Sequence, residues 1–200
     1  MQNLKEDIKN HKRNIILKIA KELFCQKGFH EVSTSDIAKA CGYTKSALYY
    51  YFTNKEEIFI EVMCDFSLEK DEALKSYLNL GKTNSEKLAY LFRGYLLFVL
   101  QDEMVYSLYT NNIDMINKID DEVGHRLYER GFHDIVDIVA DCHNDGYFHT
   151  FQNTKLFMPS LWAMIRTQVM FLGKKVLIDK SITLEEAIVY FDQVLTHLIQ

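Results

Sequence analysis

Two hundred residues, 48% of them apolar, are enough to bury the core of one large domain or two small ones. The start, Met1-Gln2-Asn3-Leu4-Lys5-Glu6-Asp7, has no apolar leader core, and the longest unbroken apolar run, Tyr95 to Leu100, is six residues, too short for a membrane span. The chain is therefore expected in the cytoplasm, with no membrane partner. Cys25, Cys41, Cys64 and Cys142 lie far apart with no C-x-x-C pair, which fits neither a zinc site nor a secreted disulfide framework; buried, reduced thiols are expected.

The net charge of −5 is unevenly spread. Up to Lys55 the chain holds ten Lys/Arg against five Asp/Glu, and beyond it thirteen against twenty-three. A basic head on an acidic body places any polyanion-binding face at the N-terminus. Solvated lysine-rich helices produce the same asymmetry, so the motifs must decide.

One proline, eight glycines and little strand-like alternation make helix the default throughout. Ile15, Ile16, Ile19, Ala20, Leu23 and Phe24 recur at helical spacing up to Gly28, which suits a left-handed C-terminal cap. Ser33 and Asp36 form a capping box for a short helix over Ser35 to Cys41, ended by Gly42. Thr44 caps a second short helix, Lys45 to Phe52, and Asn54 with Glu57 opens a longer one carrying Ile58, Val62, Phe66 and Ala73. Thr83 and Glu86 box a stripe of Leu88, Leu91, Phe92, Tyr95 and Val99. One long helix is expected from about Asn117 to Cys142, followed by a turn at Asn144-Asp145-Gly146. Leu156 to Leu172 is apolar on almost every side and must be covered on more than one face. Thr183 and Glu186 box a last helix with Leu184, Ala187, Ile188, Phe191, Val194, Leu195 and Leu198 as a wide stripe.

Two short helices joined by Ala40-Cys41-Gly42-Tyr43-Thr44 have the layout of a helix-turn-helix, in which the first helix braces the second for the major groove. Ile37, Ala38 and Leu48 stand where apolar side chains lock the pair to the first helix. The remaining face shows Lys45, Ser46, Tyr49, Tyr50 and Tyr51, donors for phosphates and base edges, although three adjacent tyrosines serve equally well as core or protein contacts.

In order and spacing, Arg13, Ile16, Ala20, Phe24, Gly28, Phe29, Val32, Ser33, Thr34, Ile37, Ala38, Gly42, Leu48, Tyr49, Tyr51, Phe52, Lys55 and Glu56 resemble the N-terminal signature of the TetR, or tetracycline-repressor-like, family. The densest stretch, Leu48-Tyr49-Tyr50-Tyr51-Phe52-Thr53-Asn54-Lys55-Glu56-Glu57, is similar to the family's LYYYF-x-x-KEEL segment, with Ile58 where leucine is commonest. The resemblance covers about residues 10 to 60. It implies an all-α chain with an N-terminal three-helix DNA-binding domain, 1–55, and a C-terminal helical effector-binding and dimerisation domain, 56–200. The partners implied are double-stranded operator DNA, a small-molecule effector and a second copy of the chain, with no cofactor and no catalysis.

Carried over by position, Thr34 and Tyr49 contact phosphates, as does Lys55 from the start of the fourth helix, while Lys45 and Ser46 face bases. Lys45 can donate to guanine O6 and N7. Thr44 and Tyr50 join the same DNA-facing set. Ser35 is too short to reach a base as longer residues do in some relatives, and Tyr51, where some relatives have histidine, either meets a phosphate or packs. These departures leave the operator sequence open, as well as whether the outcome is repression or activation.

Beyond Lys82 the agreement is one of style, so the effector does not carry over. Tyr95, Phe98, Tyr106, Tyr109, Trp162 and Arg166, with Met164 and Gln168, supply the aromatic and scattered polar groups of a ligand cavity, or equally an ordinary core. Arg166 needs a partner, whether an internal carboxylate, one across the dimer, or an anionic effector. The last two helices imply a four-helix dimer interface with Leu161, Val169, Phe191 and Leu195 in it; the alternative is a buried monomeric core. Asp121, His125, Glu129, His133, Asp137 and Asp141 recur every four residues, but such a row drifts round a helix and reads as a solvated acidic face, so no metal is expected. A helical ligand-binding or enzymatic protein is the rival class, and its mark, a catalytic constellation in the C-terminal half, is missing.

Overall fold

The structure is a computed structural model that describes residues 2–129, 134–148 and 154–199. Among the described residues it is helical, with no strand. The helices are α1 (Gln2–Lys27), α2 (Thr34–Ala40), α3 (Lys45–Tyr49), α4 (Lys55–Leu78), α5 (Asn84–Leu100), α6 (Glu103–Thr110), α7 (Ile113–Glu129), α8 (Asp134–Asn144), α9 (Thr154–Gly173) and α10 (Leu184–Ile199), with a π-helical turn, Lys174–Ile178, directly after α9. No described helix is long and apolar enough to cross a membrane. The sequence pattern reads as one helix over 117–142; its described residues belong to α7 and α8, and residues 130–133 between them lie outside the described residues, while α6 and the π-helical turn have no counterpart in that reading.

The chain divides into two compact units, residues 1–67 with 107–127, and residues 68–106 with 128–200. Helices α4, α6 and α7 each begin in one unit and end in the other. In the first unit, Ile16, Ala20 and Phe24 of α1 are fully buried, together with Ile37, Leu48, Phe52, Ile58, Phe59 and Phe66. Phe24 meets Phe59 edge-on at 5.1 Å between ring centres, and Phe66 meets Tyr109 at 5.4 Å, an arrangement that aromatic quadrupoles favour over face-to-face stacking.

α1 ends at Gly28, which takes φ +79° and would put a Cβ 2.6 Å from the Asn111 carbonyl oxygen, so only glycine fits. The last turn of a helix leaves carbonyls short of partners, and here the α6–α7 connection supplies donors to two, that of Cys25 and that of Phe24, which also accepts the Gly28 N–H at 3.0 Å. The Asn111 amide donates to the Cys25 carbonyl at 2.7 Å and the Asn112 amide to that of Phe24 at 3.1 Å. Asn112, with no exposed surface, also donates to the Leu108 carbonyl at 2.8 Å and accepts the Phe29 N–H at 2.6 Å. This is why residues 107–127 belong to the N-terminal unit.

In the second unit α5 buries Leu88, Leu91, Phe92, Tyr95, Leu96 and Val99. Buried with them are Ile138, Val139 and Cys142 of α8, Leu161, Ile165, Val169 and Leu172 of α9, and Ala187, Phe191 and Leu195 of α10. Leu184, in the first turn of α10, is exposed and lies outside this buried stripe.

Candidate DNA-binding interface and sensor core

α2 starts at a complete capping box. The Ser33 hydroxyl accepts the Asp36 N–H at 3.1 Å and the Asp36 carboxylate accepts the Ser33 N–H at 2.9 Å, which holds Asp36 below its ordinary value. Past its C-cap, Gly42 at φ +71° donates to the Lys39 carbonyl and Tyr43 to that of Ala38 at 2.8 Å, the paired bonds of a Schellman turn. Thr44 then caps α3 by accepting the Ala47 N–H at 3.1 Å. Buried Leu48 fixes which side of α3 faces inward. α3 closes at Tyr49, earlier than the pattern reads, because Tyr51 bonds back three residues to the Leu48 carbonyl.

Ser35, Thr44, Lys45, Ser46, Tyr49 and Tyr50 are consequently exposed, Tyr50 by 69%, while Thr34, Tyr51 and Lys55 are half-buried. The Thr34 hydroxyl stands 3.5 Å from the Tyr49 hydroxyl, bringing the start of α2 to the end of α3. The Lys45 ammonium lies over the Tyr49 ring, and that of Lys9, from α1, over Tyr50. Tyr51 turns its ring edge-on to Tyr50 at 5.1 Å.

Lys55 has a structural role that its position in the sequence does not signal. Its ammonium donates to the Phe29 and Val32 carbonyls at 2.8 Å each and sits 4.1 Å from the centre of the Phe29 ring. Two of its three N–H groups are thus committed, leaving one and the charge for a phosphate. Glu61, 8% exposed on α4, accepts from Arg126 of α7 at 2.9 Å and from Arg13 of α1 at 3.5 Å, so one carboxylate ties three helices together. His30 and Asp114 form an exposed pair. Of the residues in these ties the sequence pattern singled out Arg13 and Lys55, and neither of their pairings.

In the second unit, Tyr95 is fully buried with its ring 5.0 Å from that of half-buried Trp162, and Phe92 lies 6.5 Å from Trp162. Tyr106 is buried and its hydroxyl donates to the Met170 carbonyl at 3.3 Å; burial, with Asp179 nearby, pushes that phenol up. Phe98 and Arg166 are half-buried. Tyr109 belongs to the first unit, against Phe66, apart from the others. Lys70, which the sequence pattern did not single out, joins Tyr95 and Trp162 as a buried cation.

Leu161, Val169, Phe191 and Leu195 all point into this unit's own core. Among the described residues, the exposed large apolar groups of α9 and α10 are instead Met164, Phe171, Leu184, Val189 and Tyr190. An apolar groove of about 320 Å³ runs between these helices, past Met164, Gln168, Val194 and Leu198. A second groove, about 460 Å³, lies between α5 and α10 beside Arg93 and Asp192, which pair at 3.4 Å. Among the described residues no group of three His, Cys, Asp or Glu side chains could hold a metal ion; His133 of the four-residue row lies outside the described residues.

Residues 16–62 match the family model described as bacterial regulatory proteins, tetR family. The chain is 35% identical over 77 residues to the uncharacterized HTH-type transcriptional regulator YdgC of Bacillus subtilis (strain 168), covering 38% of this chain and 40% of that one. It is 32% identical over 129 residues to the HTH-type transcriptional regulator QacR of Staphylococcus aureus, covering 58% of this chain and 68% of that one. The fold is similar to that of the transcriptional regulator FadR from Bacillus subtilis, solved in complex with stearoyl-CoA, with a TM-score of 0.64 at 22% identity over 93% of this chain and 97% of that one. The signature residues, the capped helix-turn-helix they build and the extent of the match to QacR agree, and the chain belongs to the TetR family of bacterial regulatory proteins.

Proposed function

We propose that this protein is a ligand-responsive, DNA-binding transcriptional repressor that acts as a cytoplasmic homodimer and is released from a palindromic operator by a small, largely apolar effector. The observation that carries the reading is the surface of α3. Lys45, Ser46, Tyr49 and Tyr50 are exposed together on a helix whose opposite side is locked by Leu48. Lys45 and Ser46 meet base edges, and Thr34, Tyr49 and the free donor of Lys55 meet phosphates. Residues 1–55 read DNA, and residues 56–200 sense and dimerise.

Two features support the rest. Met164, Phe171, Val189 and Tyr190 leave α9 and α10 with an apolar outer face, which a second copy of the same helices would cover. The aromatic groups around Trp162 suit an apolar effector, and the similarly folded FadR was solved with an acyl-CoA. Because coupling between two ligands is reciprocal, an effector that weakens DNA binding is itself bound less tightly, by the same factor, when operator is present. Selection of bound sequences from random duplex DNA tests the reading: an inverted repeat should be enriched, and no enrichment over input would refute it.

A further inference from the structure

We infer that the effector carries a single anionic group, such as a carboxylate, and that Lys70 is the residue that anchors it; the inference rests on the reading of the second unit as the sensor. Lys70 lies in the part of α4 that belongs to this unit and is 7% exposed. Its ammonium sits 5.0 Å from the centre of the Trp162 ring and 6.0 Å from that of Tyr95. Among the described residues its one carboxylate partner is its neighbour in the chain, Asp71, at 3.3 Å.

A lysine ammonium has three N–H donors, and burial makes each unmet one costly. One ion pair, made without a good hydrogen bond, leaves most of that capacity unused. A neutral apolar effector entering here would shield the ammonium further from water and return nothing. A cationic effector fares worse, because the faces of Trp162 and Tyr95, where a cation is best received, already hold the tethered ammonium. An anion accepts the spare donors and lays its apolar part against the same rings. The charge at Lys70 therefore sorts effectors by sign, while the surrounding rings accept many shapes.

Trp162 is the chain's one tryptophan, so its fluorescence reports on this site directly. Decanoate, 1-decanol and decylammonium, each below its micelle concentration, present one apolar body with three charges. In the full-length protein decanoate should quench or shift the emission saturably and bind at least about tenfold more tightly than decylammonium. Lys70→Met, and Lys70→Met combined with Asp71→Asn, which leaves no orphaned carboxylate, should abolish that preference and keep the affinity for 1-decanol. The inference is overturned by decylammonium binding as tightly as decanoate, by no saturable response to decanoate, or by a preference that survives both variants. The wild-type ratio decides the sign of the charge even where a variant does not fold. Anisotropy of a labelled operator duplex in the same titration separates the two readings: Lys70-dependent decanoate binding with unchanged DNA affinity upholds the anion site and refutes release by effector.

Discussion

Asn112, in the N-terminal unit, shows how much a single polar side chain can hold. Asn112 is fully buried and serves the Phe24 and Leu108 carbonyls and the Phe29 N–H at once. Asn112→Ala orphans the Phe29 N–H and the Leu108 carbonyl at roughly 1 to 3 kcal/mol for a buried unmet partner, while the Phe24 carbonyl keeps the Gly28 N–H; Asn112→Asp should be worse, since a carboxylate cannot donate to the two carbonyls. Urea unfolding followed by circular dichroism measures both. Lys45 and Lys55 make the opposite comparison. Lys55→Met removes two bonds to backbone carbonyls and should lower stability as well as affinity for every duplex. Lys45→Ala leaves stability unchanged and relaxes preference at particular bases, by on the order of 1 to 3 kcal/mol if the contact is bidentate. Thermal melts beside binding titrations distinguish the two.

At the scale of helices, the starts of α2, α5 and α10 share one device. Asp36, Glu86 and Glu186 each return a carboxylate to the cap, at Ser33, Thr83 and Thr183. All three are held below their ordinary values: Asp36 by the Ser33 hydroxyl and N–H, Glu86 by the Lys82 and Thr83 N–H groups, and Glu186 by the N–H and hydroxyl of Thr183. A carboxyl whose value is lowered by folding stabilises the native state above its unfolded value, and that contribution is lost as pH falls through the folded one. An acid limb should therefore begin below the ordinary values of 3.8 and 4.5. Ser33→Ala, Thr83→Ala and Thr183→Ala together should flatten it, while each costs about 1 kcal/mol at neutral pH. Melting temperature against pH is the measurement, and an unchanged acid limb would contradict it.

These boxes were legible because both partners lie three residues apart. The turn glycines Gly28, Gly42 and Gly146 were legible for the same reason, and all three adopt positive φ. What joins distant parts was not. Nothing local to Asn111-Asn112 says that the pair serves the end of α1, 86 and 88 residues earlier. Lys55 reads as a phosphate contact, and nothing local signals its bonds to backbone carbonyls 26 and 23 residues earlier. On α10 the apolar stripe is plain, but periodicity does not reveal which neighbour covers it; Phe191 and Leu195 turned out to be covered from within the unit.

At the scale of the whole molecule, that distinction decides which variants probe dimerisation. Charge at Phe191 would unfold the core, whereas Met164 and Tyr190, 52% and 46% exposed, can accept it. Met164→Glu and Tyr190→Glu should yield folded monomers with weakened operator binding, since a monomer makes half the contacts. Sedimentation with circular dichroism checks this, and dimers that persist in both variants would move the interface elsewhere. Two α3 helices related by a two-fold axis should read half-sites about 34 Å apart, or a multiple of that spacing. The decisive measurement is a parallel selection from random duplex DNA with the wild-type protein and Lys45→Ala. The expected result is an inverted repeat for the wild type and, for the variant, the same repeat with preference lost at one position mirrored in both half-sites. Enrichment of a sequence without repeat symmetry, or a repeat indifferent to Lys45, would contradict the assignment of α3 as the reading helix.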